Sequence, residues 1–300
     1  MSTDTLTDVF EEHRPVLTGV AYRMLGRAAD AEDVVQEAWL RWSARAADGA
    51  AAVAEVREPR AYLVRITARL AIDRLRQIRS RRESYVGPWL PEPIVTDFAA
   101  TPSDPGERTI LAESVSFAVL VVLESLSPLE RAVFVLREAF GFPHAEIANT
   151  LDRSEAAVRQ LAVRARQRVD ERKPRYRANP DECRDLTERF LAAASGGDLE
   201  DLLGLLAPGV RLVGDSGGKS KAPLRVMVGA DKVGRFLLAV GQTPVPAAEY
   251  QINEINGAPG IVLRSAGKPD TVVQLEIADG LVQCIYIVRN PDKFAAITSL

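Results

Sequence analysis

The spacing of apolar residues changes once along this chain, at Asn179-Pro180, and that change limits the folds open to it. Before it, apolar side chains recur every three or four residues, the period of amphipathic helices. After it, Tyr250–Ile255, Gly260–Ser265, Thr271–Ala278 and Leu281–Arg289 read as strands. Asp279-Gly280, between the last two, is a strong hairpin signal. The same part holds helical stretches at Asp181–Leu206 and Ala230–Val240, with a short strand at Val210–Val213 between them. Gly196-Gly197 interrupts the first, and Asp198 can cap its second piece. Helical modules followed by helices and an antiparallel meander describe a multidomain chain, all-α first and α+β last. Its 300 residues are enough for about two or three cores.

Composition removes several classes. No apolar run approaches the roughly 20 residues that span a bilayer, and Met1–Asp8 is too polar and acidic for a secretory leader. Cys183 and Cys284 are the only cysteines, and two such distant thiols read as free and cytosolic. Net charge is −3, which by itself argues against nucleic acid. Its distribution reverses that. From Asp181 onward twelve basic residues face fifteen acidic ones, so the deficit lies wholly in the C-terminal part. The N-terminal part is neutral, with local arginine clusters suited to steering.

The densest cluster accompanies a motif. Ser127-Pro128 can cap and open a helix that Gly141 ends, and Pro143 opens a short helix with Ile147, Ala148 and Leu151 inward. After Asp152-Arg153, Ser154 can cap a longer helix with Val158, Leu161, Ala162, Ala165 and Val169 on one face. Short helix, tight turn and longer helix make a helix-turn-helix, whose second helix enters the DNA major groove. Arg153, Arg159, Arg164, Arg166, Arg168, Arg172, Lys173, Arg175 and Arg177 outnumber Asp152, Glu155, Asp170 and Glu171 there, which favours a phosphate backbone through counterion release. Asp152 stands where glycine would be most comfortable, although aspartate tolerates left-handed geometry.

Upstream, Leu6–Arg27 reads as helix, with Pro15 able to start its second half. Asp30 can cap the next helix, whose polar face carries Asp33, Gln36, Glu37 and Arg41, a row able to dock a partner. Ala44–Pro59 is loop-like, and Arg60–Arg82 is a long helix with Arg65, Arg69 and Arg76 in one stripe and Arg74, Arg79, Arg81 and Arg82 near its end. Basic charge there suits both nucleic acid and the helix dipole. Glu83–Arg108 is a linker: Pro88, Pro91, Pro93, Pro102 and Pro105 with Gly87 and Gly106 forbid a helix. Trp89 and Leu90 are costly to leave in water, so part of it docks on something. Ile110–Leu126 is helical again, giving two helical modules joined by a proline-rich tether.

Together, His13-Arg14-Pro15, Ala21-Tyr22-Arg23-Met24-Leu25-Gly26, Asp30-Ala31-Glu32-Asp33-Val34-Val35-Gln36-Glu37 and Ala71-Ile72-Asp73-Arg74-Leu75-Arg76, with the helix-turn-helix behind them, resemble an extracytoplasmic-function sigma factor. That family supplies the promoter-specificity subunit of bacterial RNA polymerase. Trp89-Leu90-Pro91-Glu92-Pro93 and the added C-terminal part resemble its sigma-J-type subgroup, which carries a SnoaL-like (NTF2-like) α+β cone. The resemblance implies sigma region 2 at 1–82, the linker at 83–107, sigma region 4 at 108–177 and a SnoaL-like regulatory domain at 181–300. Asp33, Gln36, Glu37 and Arg41 would then dock core polymerase at its beta and beta-prime subunits. The Ala44–Pro59 loop and Arg65, Arg69, Arg76 and Arg79 would engage the minus-ten element as it melts. Ser154, Glu155, Ala156, Arg159 and Gln160 would read the minus-thirty-five duplex, with Arg153 and Arg164 on phosphates. The subgroup's Asp-Gly-Gly-Gly-Lys loop and Asn-Pro-Asp-Lys end correspond to Asp215-Ser216-Gly217-Gly218-Lys219 and Asn290-Pro291-Asp292-Lys293. Ser216 replaces a glycine, which puts that loop's backbone in question. Whether the linker touches its own C-terminal domain or the polymerase is left open.

Two other readings of the C-terminal part stand beside regulation. Acid–base catalysis needs a positioned His, Asp, Glu or Tyr, yet His13 and His144 both lie elsewhere, and Asp215, Glu254, Glu276 and Tyr286 form no pair by spacing. No metal or cofactor is expected. A small-molecule sensor would need an open pocket, and a cone filled by its own side chains is equally compatible with the sequence. The Asp215–Lys219 loop lacks the spacing and the following helix of a phosphate loop.

Overall fold

The computed structural model describes residues 3–47, 58–82, 85–95, 116–171 and 179–298. Most of the loop expected at Ala44–Pro59, the prolines at 102 and 105 with Gly106, the start of the helix expected from Ile110, and Arg172, Lys173, Arg175 and Arg177 lie outside them, as do the side chains of Arg81 and Arg82. The chain forms two compact units, one with residues 3–82 and 119–171, the other with 85–95, 116–118 and 179–298.

The first unit is all helix: α1 (Thr3–Leu25), α2 (Ala28–Ala47), α3 (Pro59–Arg82), α4 (Phe117–Leu123, from Val119 in this unit), α5 (Pro128–Phe134), α6 (His144–Leu151) and α7 (Glu155–Asp170). Helix α1 runs unbroken through Pro15 rather than restarting there. A proline removes one hydrogen bond, and the buried Phe10, Leu17, Val20 and Met24 hold both halves to one core. Helix α2 begins two residues before Asp30, so that aspartate is not its cap. Its carboxylate instead accepts from Arg74 of α3 at 2.8 and 3.1 Å. Trp42 is fully buried and ties α2 to α1, its Nε1 donating to the Leu6 carbonyl at 3.2 Å. Helix α5 continues as a π turn (Val135–Ala139) before Gly141, at φ 70°, closes it.

In the second unit, α8 (Pro180–Gly196) is capped by Asn179, whose Oδ1 accepts from the Asp181 and Glu182 N–H groups at 2.7 and 3.1 Å. Gly197 ends it at φ 79°, and Asp198 caps α9 (Leu199–Leu205) as its position suggests. There follow β1 (Leu206–Asp215), β2 (Met227–Val228), α10 (Ala230–Gly241), β3 (Ala248–Ile255), β4 (Ala258–Ser265), β5 (Lys268–Ala278) and β6 (Leu281–Val288), then a 3-10 turn (Pro291–Lys293) and α11 (Ala295–Thr298). The six strands lie in the order β2-β1-β6-β5-β4-β3. Strands β3 to β6 are the expected antiparallel meander, with Asp279 and Gly280 both at positive φ in the last hairpin. Strand β1, longer than the four residues expected, pairs parallel to β6 with Leu212 opposite Ile285, so the sheet is mixed. Parallel partners need a long crossover, here everything from β2 to β5. The core joins Phe190 of α8, Leu202 of α9 and Val233 of α10 to Val210, Ile261 and Ile285 of the sheet. Both cysteines are free thiols.

Candidate functional site

Helix α7 presents an exposed polar face. Ser154 caps it, its Oγ accepting the Ala157 N–H at 3.2 Å. Asp152 makes the preceding turn at φ 50°, ψ 53°, a left-handed geometry that aspartate tolerates. Val158, Ala165 and Val169 are buried beneath α7, while Arg153, Ser154, Glu155, Ala156, Arg159, Gln160 and Arg164 are exposed. Arg159 meets Glu155 one turn away at 2.5 Å. Such a surface pair is worth about 0.3–0.5 kcal/mol, so a phosphate can displace it. Val163, 66% exposed on the same helix, escaped sequence reasoning. Its signal was an apolar residue off the inner stripe.

Glu130 fastens this helix to α5. It closes a capping box, its carboxylate accepting the Ser127 N–H at 2.9 Å while Ser127 Oγ accepts the Glu130 N–H at 3.3 Å. It also takes Arg168 of α7 at 2.7 Å. Burial works against the charged form, but the Ser127 hydrogen bonds, then Arg168 and Arg164, hold the carboxyl below its ordinary value.

The arginines of α3 are engaged within the same unit. Arg69 donates from Nε to the Thr150 carbonyl at 2.8 Å and from Nη2 to Asp152 at 2.6 Å, and Arg65 lies 3.7 Å from the other Asp152 oxygen. Arg79 donates to the carbonyls of Leu126 and Glu124. Arg76 turns along its own helix to Asp73 at 3.0 Å. Deeper, the buried Arg131 donates to the Arg23 carbonyl at 2.9 Å and pairs with Glu124 at 2.6 Å. Arg23 itself lies over the Phe140 ring at 4.7 Å, and burial pulls its guanidinium down to about 10. The helical modules read as two ends of a tether therefore share one compact unit.

On α2, Asp33, Gln36, Glu37 and Arg41 are all exposed, with Arg41 on Glu37 at 2.7 Å and Asp33 on Arg74 at 3.1 Å. Leu40 stands among them at 63% exposure, one turn from Gln36 and Glu37. The sequence reading missed this apolar side chain on a polar stripe.

In the second unit, the linker segment 85–95 lies along the end of the sheet. Asp215, fully buried at the end of β1, receives the Leu90 N–H at 2.7 Å and Lys293 Nζ at 2.5 Å on one oxygen. Its other oxygen receives Tyr85 Oη at 2.5 Å and the Gly217 N–H at 3.1 Å. Lys293, also buried, donates to the Leu90 carbonyl and sits 3.9 Å above the Trp89 ring. Asn290 Nδ2 donates to Tyr85 Oη at 2.8 Å. Burial first, and then the bond to Asp215, push the Tyr85 hydroxyl well above its ordinary value. Pro91, Glu92 and Pro93 are buried, Pro291 opens the turn that carries Lys293, and Val95 bridges to Ile255. Lys219 and Asp292 pair with each other on the exposed rim. Gly217 sits at φ 56°, and a Cβ there would stand 2.6 Å from Asn290 Nδ2. Gly218, at φ 74°, lies under Val86. Ser216 is not among the residues at positive φ, so the loop keeps its left-handed positions for the two glycines and accommodates the serine. Tyr85, just ahead of the Trp89–Pro93 motif, was missed.

Of the residues weighed for catalysis, Asp215 is consumed by the linker. Tyr286 donates to Glu276 at 2.6 Å, a cross-strand pair that only the register of β5 and β6 reveals. Strand alternation points Tyr286 away from the face on which Ile285 and Ile287 join the core. A cavity of about 1050 Å³ lies on that core face. Among the described residues, no group of three or more His, Cys, Asp or Glu is placed to hold a metal, and no helix is long and apolar enough to cross a membrane.

Comparison with known proteins fits this layout. The family described as Sigma-70 region 2 matches residues 9–82, and Sigma-70 region 4 matches residues 116–169. The ECF RNA polymerase sigma factor SigJ of Mycobacterium tuberculosis is 41% identical over 297 residues, covering 95% of this chain and 92% of that protein. The probable ECF sigma factor SigI of the same species is 33% identical, covering 96% and 94%. The crystal structure of M. tuberculosis SigJ superposes with a TM-score of 0.75 at 36% identity, covering 97% of this chain and 98% of that one. Two helical sigma modules and an α+β extension are thus present in one polypeptide, and the chain belongs to the extracytoplasmic-function RNA polymerase sigma factors, the promoter-specifying initiation factors of bacterial transcription.

Proposed function

We propose that the C-terminal domain regulates this sigma factor by holding the linker between its sigma regions. The observation that carries the reading is the buried Asp215–Lys293 pair, which takes the Leu90 N–H on one side and its carbonyl on the other. Leu90 is thereby withheld from any other surface, and the half-buried Trp89 is held against Lys293. In this reading Asp33, Gln36, Glu37 and Arg41, with Leu40 as anchor, dock the beta and beta-prime subunits of core polymerase. The α3 arginines contact the minus-ten strand, and the outer face of α7 reads the minus-thirty-five duplex. The two elements are named for centres roughly 25 base pairs apart, or about 85 Å at 3.4 Å per pair. Arg69 and Asp152 sit 2.6 Å apart, so this arrangement is closed and must open before both elements are engaged. The setting is the cytoplasm, where core polymerase and promoter are found.

The test is open-complex formation with purified core enzyme, comparing the full chain with one ended at Arg177. A change in the rate or yield of open complex is expected. Identical behaviour of the two chains would refute the regulatory part while leaving sigma activity intact.

A second reading, that the C-terminal domain also senses a small molecule, is favoured by one specific observation. Its cavity is open space and not packed side chains.

A further inference from the structure

We infer that the cavity of the second unit is an effector site for a neutral, mostly hydrocarbon molecule bearing one hydrogen-bonding N–H or O–H group. The inference rests on the regulatory reading above and names the ligand chemistry of that same domain. At about 1050 Å³ the cavity is at the upper end of ordinary ligand sites. Its walls are apolar, with Phe190, Leu237, Met227, Leu263, Val273 and Ile287 among them. Leu224, Val240 and Tyr250 also line it and remain about half exposed. Large apolar groups gathered around one opening lose hydration cost when that opening is filled.

Hydroxyls are scattered in the wall, but its half-buried ion pair lies at a single pole and gives the class. Arg289 Nη2 meets both oxygens of Asp270 at 3.0 and 2.8 Å, Thr271 Oγ1 donates to Asp270 at 2.6 Å, and Arg289 Nη1 donates to the Lys221 carbonyl at 2.9 Å. The pair cancels its own charge, and Asp270 keeps acceptor capacity for one ligand donor. A net charge on the ligand would enter an apolar space with no counter-ion, which is disfavoured. Lys221 also borders the cavity, but its side chain is exposed, so water screens its charge.

The site is joined to the linker. Val86 lines the cavity and packs on Gly218, and Gly87, at φ 82°, lies against Leu224. Val86, four places before Leu90, therefore forms part of the ligand's wall, and occupancy and linker docking favour each other by linkage.

The test uses two fluorescent probes sharing one skeleton, neutral N-phenyl-1-naphthylamine and anionic 1-anilinonaphthalene-8-sulfonate, titrated into the full chain without polymerase. Saturable binding of the neutral probe is expected, at least tenfold tighter than the anionic one. Asp270→Asn, which leaves Arg289 uncompensated, should reverse that preference. Val273→Trp, or Leu263→Trp should the first not melt cooperatively, should weaken the neutral probe at least tenfold. Val86→Ala should weaken it about threefold. Equal affinity for both probes, or binding indifferent to the tryptophans, overturns the site. Because no polymerase is present, that failure is separate from failure of the transcriptional reading.

Discussion

Asp215 shows how one buried acid can hold a flexible segment. Four donors converge on its two oxygens, and two of them, Leu90 N–H and Tyr85 Oη, come from the linker. Removing one partner of a buried pair costs about 3–5 kcal/mol, whereas removing both is often far milder. Lys293→Met should therefore lower the melting temperature of the second unit sharply, and Asp215→Asn/Lys293→Met should recover much of the loss. Calorimetry of the three chains decides it, and a double variant no better than the single would sink the pairing argument. Glu130 makes a different prediction. Its carboxyl is held below the ordinary 4.5 in the folded chain, so its contribution is complete above that value and is lost as pH falls through the lower folded one. Glu130→Gln keeps an oxygen for the Ser127 N–H but should cost about 1–2 kcal/mol at pH 7 through the unpaired Arg168. Denaturant titrations should show the gap between the two proteins closing below pH 4.5. A gap that widens on acidification contradicts the assignment.

Among elements, the contact between α3 and the turn ahead of α7 has the largest consequence. Asp152 receives Arg65 and Arg69 while 73% exposed, so the pairs are worth at most about 1 kcal/mol to folding. They nonetheless occupy two groups assigned to promoter DNA. Asp152→Asn tolerates the left-handed turn, removes the charge and should raise affinity for promoter fragments severalfold, read by fluorescence anisotropy. Asp170→Asn makes the same charge change on exposed α7 without touching α3, and an equal gain from it would reduce the effect to net charge. The helices here were legible because their signals are local: Ser127-Pro128, Gly141, Ser154 and Asp198 all act within a few residues of where they sit. What was not legible acts at a distance. Asp152 lies 83 residues from Arg69, β1 finds its parallel partner about 70 residues on, and Asp30 left its expected capping role for an arginine 44 residues away. Sequence spacing carries no trace of such pairs. The linker motif and the two C-terminal motifs were visible separately, but only the fold brings Lys293 onto Trp89 and adds Tyr85 to the set.

For the whole molecule, two explanations of regulation compete, electrostatic field and mechanical hold. The C-terminal part carries the chain's entire net charge of −3, and an acidic domain can weaken DNA binding simply by repulsion. Magnitude decides against that as the main effect, because surface charges are screened beyond roughly 8 Å at physiological salt. The hold on Leu90 and Tyr85 is buried and escapes such screening. Asp215→Asn/Lys293→Met separates the two, since it loosens the linker and leaves net charge at −3. We expect this double variant to raise promoter-directed transcription with core polymerase severalfold. Its non-specific DNA affinity, and the slope of that affinity against salt concentration, should match the parent chain, because the same phosphates are neutralised. Unchanged transcription from the double variant, alongside a marked effect of removing residues 181–300, would show that the domain acts through its charge or bulk and not through its grip on the linker.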